Sequence, residues 1–90
     1  MTNRFEVRIS RDAEKTFLKI RQSLPAIGRK IENVLDLLET HPFTGSKLEG
    51  SHGESRRIRI GDFRVIYEIY RQEILILVVY IGPRSGAYRH

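Results

Sequence analysis

Arginines crowd one short segment of this ninety-residue chain, Arg56-Arg57-Ile58-Arg59-Ile60-Gly61-Asp62-Phe63-Arg64-Val65-Ile66-Tyr67. Two further candidate groups follow it, Arg84 after Gly82-Pro83, and Tyr88. Successive side chains of a β-strand leave opposite faces. Arg57 and Arg59 therefore leave one face together while Ile58 and Ile60 bury on the other, and Gly61-Asp62 reads as the turn of a hairpin. Arg64, just past that turn, is expected to point the same way and to face solvent. Guanidinium groups gathered on one face of a rigid sheet suit a polyanion, and phosphate best matches their forked donors. The alternative reading is a solvated outer face that only keeps the sheet soluble.

The charge distribution favours phosphate. The net charge is +5, with 16 Lys and Arg against 11 Asp and Glu. Residues 1–54 are nearly balanced, whereas residues 55–90 carry seven Arg, no Lys and three acids. An excess that is wholly guanidinium points to nucleic acid more than to an acidic protein. Cysteine is absent, which removes disulfides and thiolate catalysis. Only His41, His52 and His90 remain with the carboxylates as metal ligands, and their spacing suggests no metal site and no cofactor. No run approaches the roughly 18 apolar residues of a transmembrane helix. The N-terminus has no apolar signal core, so a cytoplasmic address without membrane contact is expected.

A single domain over residues 1–90 must position these groups. Phe5, Val7 and Ile9 alternate with polar residues as a short strand. Ser10 or Asp12 can cap a helix with Ala13 at its start and Phe17, Ile20 and Leu24 as its apolar stripe. Pro25 stops it and opens a second helix with Ile27, Ile31, Val34, Leu35 and Leu38, ended by Thr40-His41-Pro42. Residues 43–54 read as a loop, with Leu48 anchoring it to the core and Lys47 held near the sheet. Three strands follow, at about 55–60, 63–70 and 73–81, the second and third joined by Arg71-Gln72. The third is apolar throughout, as for a central strand covered on both faces. Tyr67, Tyr70 and Tyr80 lie within strands and read as packing residues. The expected fold is α+β, an N-terminal strand and a helical hairpin packed on a mainly antiparallel sheet of about four strands.

Taken in order, Lys47-Leu48-Glu49-Gly50, the stretch from Arg57 to Tyr67, the apolar strand, Gly82-Pro83-Arg84 and Tyr88 resemble the RelE/ParE superfamily of bacterial toxins. The resemblance runs from about residue 4 to residue 88. It implies a toxin of a type II toxin–antitoxin system, held inactive by a cognate antitoxin. RelE-like members cleave mRNA on the ribosome, and ParE-like members inhibit DNA gyrase. The basic and aromatic positions of the RelE-like active face correspond here to Arg57, Arg59, Arg64, Arg84 and Tyr88, which favours the endoribonuclease branch. A ParE-like gyrase inhibitor and a degenerate antitoxin-binding member stay open as alternatives. The sequence departs from many relatives in having Arg56 before the first basic residue and Pro83 before the last arginine. It also ends two residues after Tyr88, short of the C-terminal helix that some members carry.

The chemistry so implied is metal-free attack of an RNA 2′-OH on the adjacent phosphorus. Fixed cationic donors would orient the RNA and stabilise the added charge. Arg57 and Arg64 are assigned to the scissile phosphate, Arg84 to the leaving oxygen, Arg59 to a neighbouring phosphate, and Tyr88 to base stacking or the attacking sugar. Lys47 and Arg56 add RNA attraction. Arginine is a poor general base because it stays protonated, which leaves Tyr88, His41, His52, His90, Glu49 and Glu54 as proton-transfer candidates. Tyr88 could instead close the sheet edge, and Arg84 could pair with Glu68 as a structural ion pair.

Overall fold

The computed structural model describes residues 4–48 and 54–84. In chain order these form strand β1 (Glu6–Ile9), helices α1 (Arg11–Ser23) and α2 (Pro25–Leu38), then strands β2 (Ser46–Lys47), β3 (Glu54–Ile60), β4 (Phe63–Tyr70) and β5 (Leu75–Pro83). The strands make one sheet in the order β1-β5-β4-β3-β2. All pairs are antiparallel except the parallel β1–β5 pair. The expected α+β architecture is present, with five strands rather than about four. The additional strand is β2, which lies inside the segment read as loop and pairs Ser46 with Arg57 and Lys47 with Arg56.

Local chemistry explains the helices. Ser10 Oγ accepts the Ala13 N–H at 3.2 Å and caps α1. Ala13, Phe17 and Ile20 are buried one turn apart along that helix. Leu24 does not continue the stripe. It is the one residue between the helices, out of helical conformation at φ −134°, and is 45% exposed. Pro25 opens α2 where its missing N–H costs nothing. Ile31, Leu35 and Leu38 of α2 meet Val65, Tyr67 and Ile69 of β4 and Ile76, Val78 and Ile81 of β5 in one core.

Strand β5 is interior, between β1 and β4, as its apolar run suggests, but only one of its faces is fully buried. Leu75, Leu77, Val79 and Tyr80 are half-buried, and Val79 and Tyr80 border a cleft with Asp12, Ala13 and Thr16 of α1. A bulge interrupts the β4–β5 ladder. Ile66 pairs with Tyr80 and Tyr67 with Val78, so Val79 is the extra residue. The turn before β5 takes four residues, not two, because Ile74 sits in the left-handed region at φ 50° and its N–H returns to Arg71 O at 3.2 Å.

The α2–β2 connection is pinned by a buried tyrosine. Tyr67 Oη donates to Pro42 O at 2.8 Å and accepts the Gly45 N–H at 3.0 Å. Burial, chiefly, pushes its hydroxyl pKa up. Leu48 is half-buried outside the core cluster and is tied to β3 by its backbone, whose N–H donates to Ser55 O. Nearby, Glu54 accepts from Arg71 at 2.8 Å and from Arg56 at 3.2 Å, and both guanidiniums lie over the Phe43 ring.

Tyr67→Phe strands two buried backbone groups, so it should lower unfolding free energy by about 1–3 kcal/mol in urea denaturation. A second prediction concerns pH. Hydrogen bonding from Arg71 foremost, then from Arg56, holds the Glu54 carboxyl below its ordinary 4.5 against the opposing effect of burial. Its stabilisation is present above that ordinary value and is lost as pH falls through the depressed folded pKa, where the unfolded chain binds the proton more readily. Glu54→Gln should flatten the fall in stability measured from about pH 6 to about pH 3.

Candidate nucleic-acid interface

The β3–β4 register decides which side chains meet. Ile58 faces Val65, Arg59 faces Arg64, and Arg57 faces Ile66. Val65 is fully buried toward the helices, so Arg57, Arg59 and Arg64 share the opposite face, as alternation predicts. Arg57 is half-buried and Arg59 exposed. Arg64 is not solvent-facing as expected but only 4% exposed. It lies on an interior strand, between Arg59 on one side and Gly82 on the other. Two guanidiniums directly opposite each other oppose stability, which the surrounding sheet must offset.

Arg84 joins this end of the sheet through its backbone. Its N–H donates to Asp62 O at 2.8 Å, tying the end of β5 to the β3–β4 turn. Gly61 of that turn has φ 59°, the conformation that glycine adopts without penalty at the first position of a two-residue hairpin loop. Glu68, the alternative partner for Arg84, accepts the Tyr70 hydroxyl at 2.6 Å instead. It stands four residues along β4 from Arg64, roughly 13 Å away. Tyr88, Glu49, His52 and His90 lie outside the described residues.

Lys47 and Arg56 are not with this cluster. They pair with each other on the face opposite Arg57. Lys47 is exposed at the sheet edge. The Arg56 guanidinium donates to Gly45 O at 2.7 Å and to Glu54, which ties it into the structural knot around Phe43. Of the proton-transfer candidates, Glu54 is held by the same knot, and a His41 ring nitrogen sits 2.9 Å from the Thr40 hydroxyl beside Pro42 on the helix side.

Some neighbours of the arginines carry no signal in the sequence. A cleft of about 320 Å³ beside Arg57 and Arg59 is lined by Thr44, Gly45 and Ser46. A second, of about 420 Å³, puts Lys30 and Asn33 of α2 next to Arg59. Ser46 reaches the arginine face only because it pairs with Arg57, and a two-residue strand has no periodicity to read. Tyr80 also belongs to this face. The bulge was the feature needed to find it, and an unbroken apolar run conceals a bulge.

With this geometry in view, the likeness to known structures is specific. The archaeal RelE–RelB complex from Pyrococcus horikoshii contains a chain 33% identical to this one, with a TM-score of 0.75, covering 94% of this chain and 98% of that one. A mutant of Escherichia coli toxin RelE in the free state has the same fold, with a TM-score of 0.75 at 15% identity over 93% of this chain and 87% of that one. The fold, together with the identity to the Pyrococcus horikoshii chain, thus defines a RelE-like toxin. A Methanocaldococcus jannaschii protein named "Putative toxin RelE1" is 33% identical over 85 residues, 88% of this chain and 93% of that protein. The model of the ParE toxin of type II toxin–antitoxin systems, parDE, matches residues 7–88, and the chain belongs to that family.

The geometry separates the arginines by their stability effects. Arg64→Ala removes a buried, packed side chain and should cost about 1–3 kcal/mol. Arg59→Ala removes an exposed charge set against Arg64, so unfolding free energy should stay level or rise by up to about 0.5 kcal/mol. Parallel denaturation curves of the two variants check this order.

Proposed function

We propose that this toxin is a ribosome-dependent mRNA endoribonuclease that works by metal-free attack of the RNA 2′-OH. The observation that carries the reading is the Arg59–Arg64 cross-strand pair with Arg57 on the same face. Three guanidiniums gathered there match the charge that develops on a phosphate under attack. Arg57 and Arg64 hold the scissile phosphate, Arg59 grips its neighbour, and Arg84 at the stitched end of β5 neutralises the leaving oxygen. Tyr88 stacks on a base or meets the attacking sugar, and Lys47 and Arg56 add only general attraction. Because Glu54 is engaged by Arg56 and Arg71 and His41 sits on the helix side, away from Arg57, Arg59 and Arg64, the ribosome supplies alignment and part of the proton transfer. Free RNA is then a poor substrate.

The partners in this reading are mRNA on the ribosome and a cognate antitoxin, all in the cytoplasm. Support for the antitoxin comes from the family and from the Pyrococcus horikoshii relative, which was crystallised as a RelE–RelB complex. The family match itself favours a second reading, inhibition of DNA gyrase as in ParE-like toxins.

Inducible expression with mapping of RNA ends separates the two. The nuclease reading expects rapid translational arrest with codon-phased 5′-OH ends. Arg59→Ala, which leaves the fold intact, should lower cleavage by about 10²–10³-fold. Double-strand DNA breaks and filamentation without new RNA ends would overturn it in favour of gyrase.

A further inference from the structure

Tyr80 reads in the sequence as one more apolar residue of a buried strand, and its position in the structure is different. Ile76 and Val78 point into the core, and continued alternation would send Tyr80 there as well. The bulge at Val79 reverses the phase, so Ile81 is buried instead and Tyr80 faces outward opposite Ile66, half-buried on the arginine face. Bulges often re-aim a side chain beside a functional site in this way.

The ring is held in one place. Tyr80 Oη donates to Pro83 O at 2.7 Å, three residues ahead on the same strand. That bond lays the ring over Gly82, where a Cβ would fall 2.8 Å from Oη and 3.0 Å from Cζ. The ring therefore occupies the space that a side chain at position 82 would fill. Gly82 is the cross-strand partner of Arg64, and side chains directly opposite start about 5 Å apart. The ring so placed stands beside the position of Arg64, an arginine that is only 4% exposed. The same hydroxyl grips the carbonyl of the residue before Arg84, whose own N–H is tied to Asp62.

We propose that Tyr80 is a positioning residue: its ring walls the Arg64 side chain in one direction, and its hydroxyl fixes the strand end that presents Arg84. The inference rests on the reading of Arg64 and Arg84 as phosphate-binding groups and adds how they are held. Guanidiniums fixed in advance lose less freedom on binding, and small misplacements of such groups are costly to rate. Tyr80 makes no contact with substrate in this role. A purely packing role would need the ring but not the hydroxyl.

Tyr80→Phe and Gly82→Ala test this with every charge retained. The first deletes the bond to Pro83, and the second pushes the ring off its seat while leaving it on the chain. In the full-length toxin, freed from antitoxin, Arg64 and Arg84 Nε–Hε NMR signals report guanidinium order. Both variants should broaden or shift these two signals and leave the melting curve of Tyr80→Phe unchanged. In single-turnover cleavage of ribosome-bound mRNA, Tyr80→Phe should slow the step about fivefold and Gly82→Ala about 10²-fold, with little change in half-saturating concentration. The effect of Tyr80→Phe should be smaller in an Arg84→Ala background, where only its action through Arg64 remains. Wild-type guanidinium signals in both variants, or a Tyr80→Phe effect that persists undiminished beside Arg84→Ala, would overturn the proposal. If the wild-type toxin leaves ribosome-bound mRNA uncut, the nuclease reading fails, and the NMR comparison still decides the role of Tyr80.

Discussion

Strand β4 lies between β3 and β5 and buries Val65, Tyr67 and Ile69 against the rest of the core. Because a strand alternates its faces, that burial sends Arg64 to the other side of the sheet. A slip of one residue would turn Arg64 into the core and expose the three apolar side chains, at a cost of several kcal/mol. The two-residue turn at Gly61-Asp62 holds the same register from the end of the hairpin and sets Arg59 opposite Arg64. The unfavourable pairing of like charges thus follows from the packing of the core. A surface designed only for solubility would have had no need of it.

One strand sorts neighbouring arginines into different tasks. Arg56 faces the helix side and is consumed by Glu54, Gly45 and the ring of Phe43. Arg57, one residue later, faces the other side across from Ser46. The Glu54 knot and the Tyr67 hydroxyl hold the segment 42–47 against β3 from the helix side. This places Thr44 and Ser46 beside Arg57 on the other side. Polar interactions on one face therefore support an arrangement of charge on the other.

The two irregularities of β5 act on the same end of the sheet. The bulge at Val79 turns Tyr80 outward, and Gly82 gives its ring a place to lie. A continuous ladder with a side chain at 82 would have put Tyr80 in the core and left Arg64 with a different neighbour. Departures from regular pairing here shape the face and do not loosen it, since both flanking positions, Val78 and Ile81, stay buried.

Much of this was legible in the chain alone. The alternation around Arg57 and Arg59, the Gly61-Asp62 turn, the cap at Ser10 and the break at Pro25 are local signals, and each depends on a few adjacent residues. The family resemblance added the order of the pieces, and the match over residues 7–88 agrees with it. Other features depend on contacts between segments distant in sequence. The strand β2 exists because Tyr67, more than twenty positions away, holds Gly45 in place. The cross-strand partners of Arg64 lie on two other strands, and the outward turn of Tyr80 comes from a bulge hidden in an apolar run. Sequence by itself determined which residues alternate, turn and cap, because those are properties of the backbone and its nearest side chains. Only the tertiary structure decided which arginines meet and what holds them, because pairing register and burial are set by the partner strands.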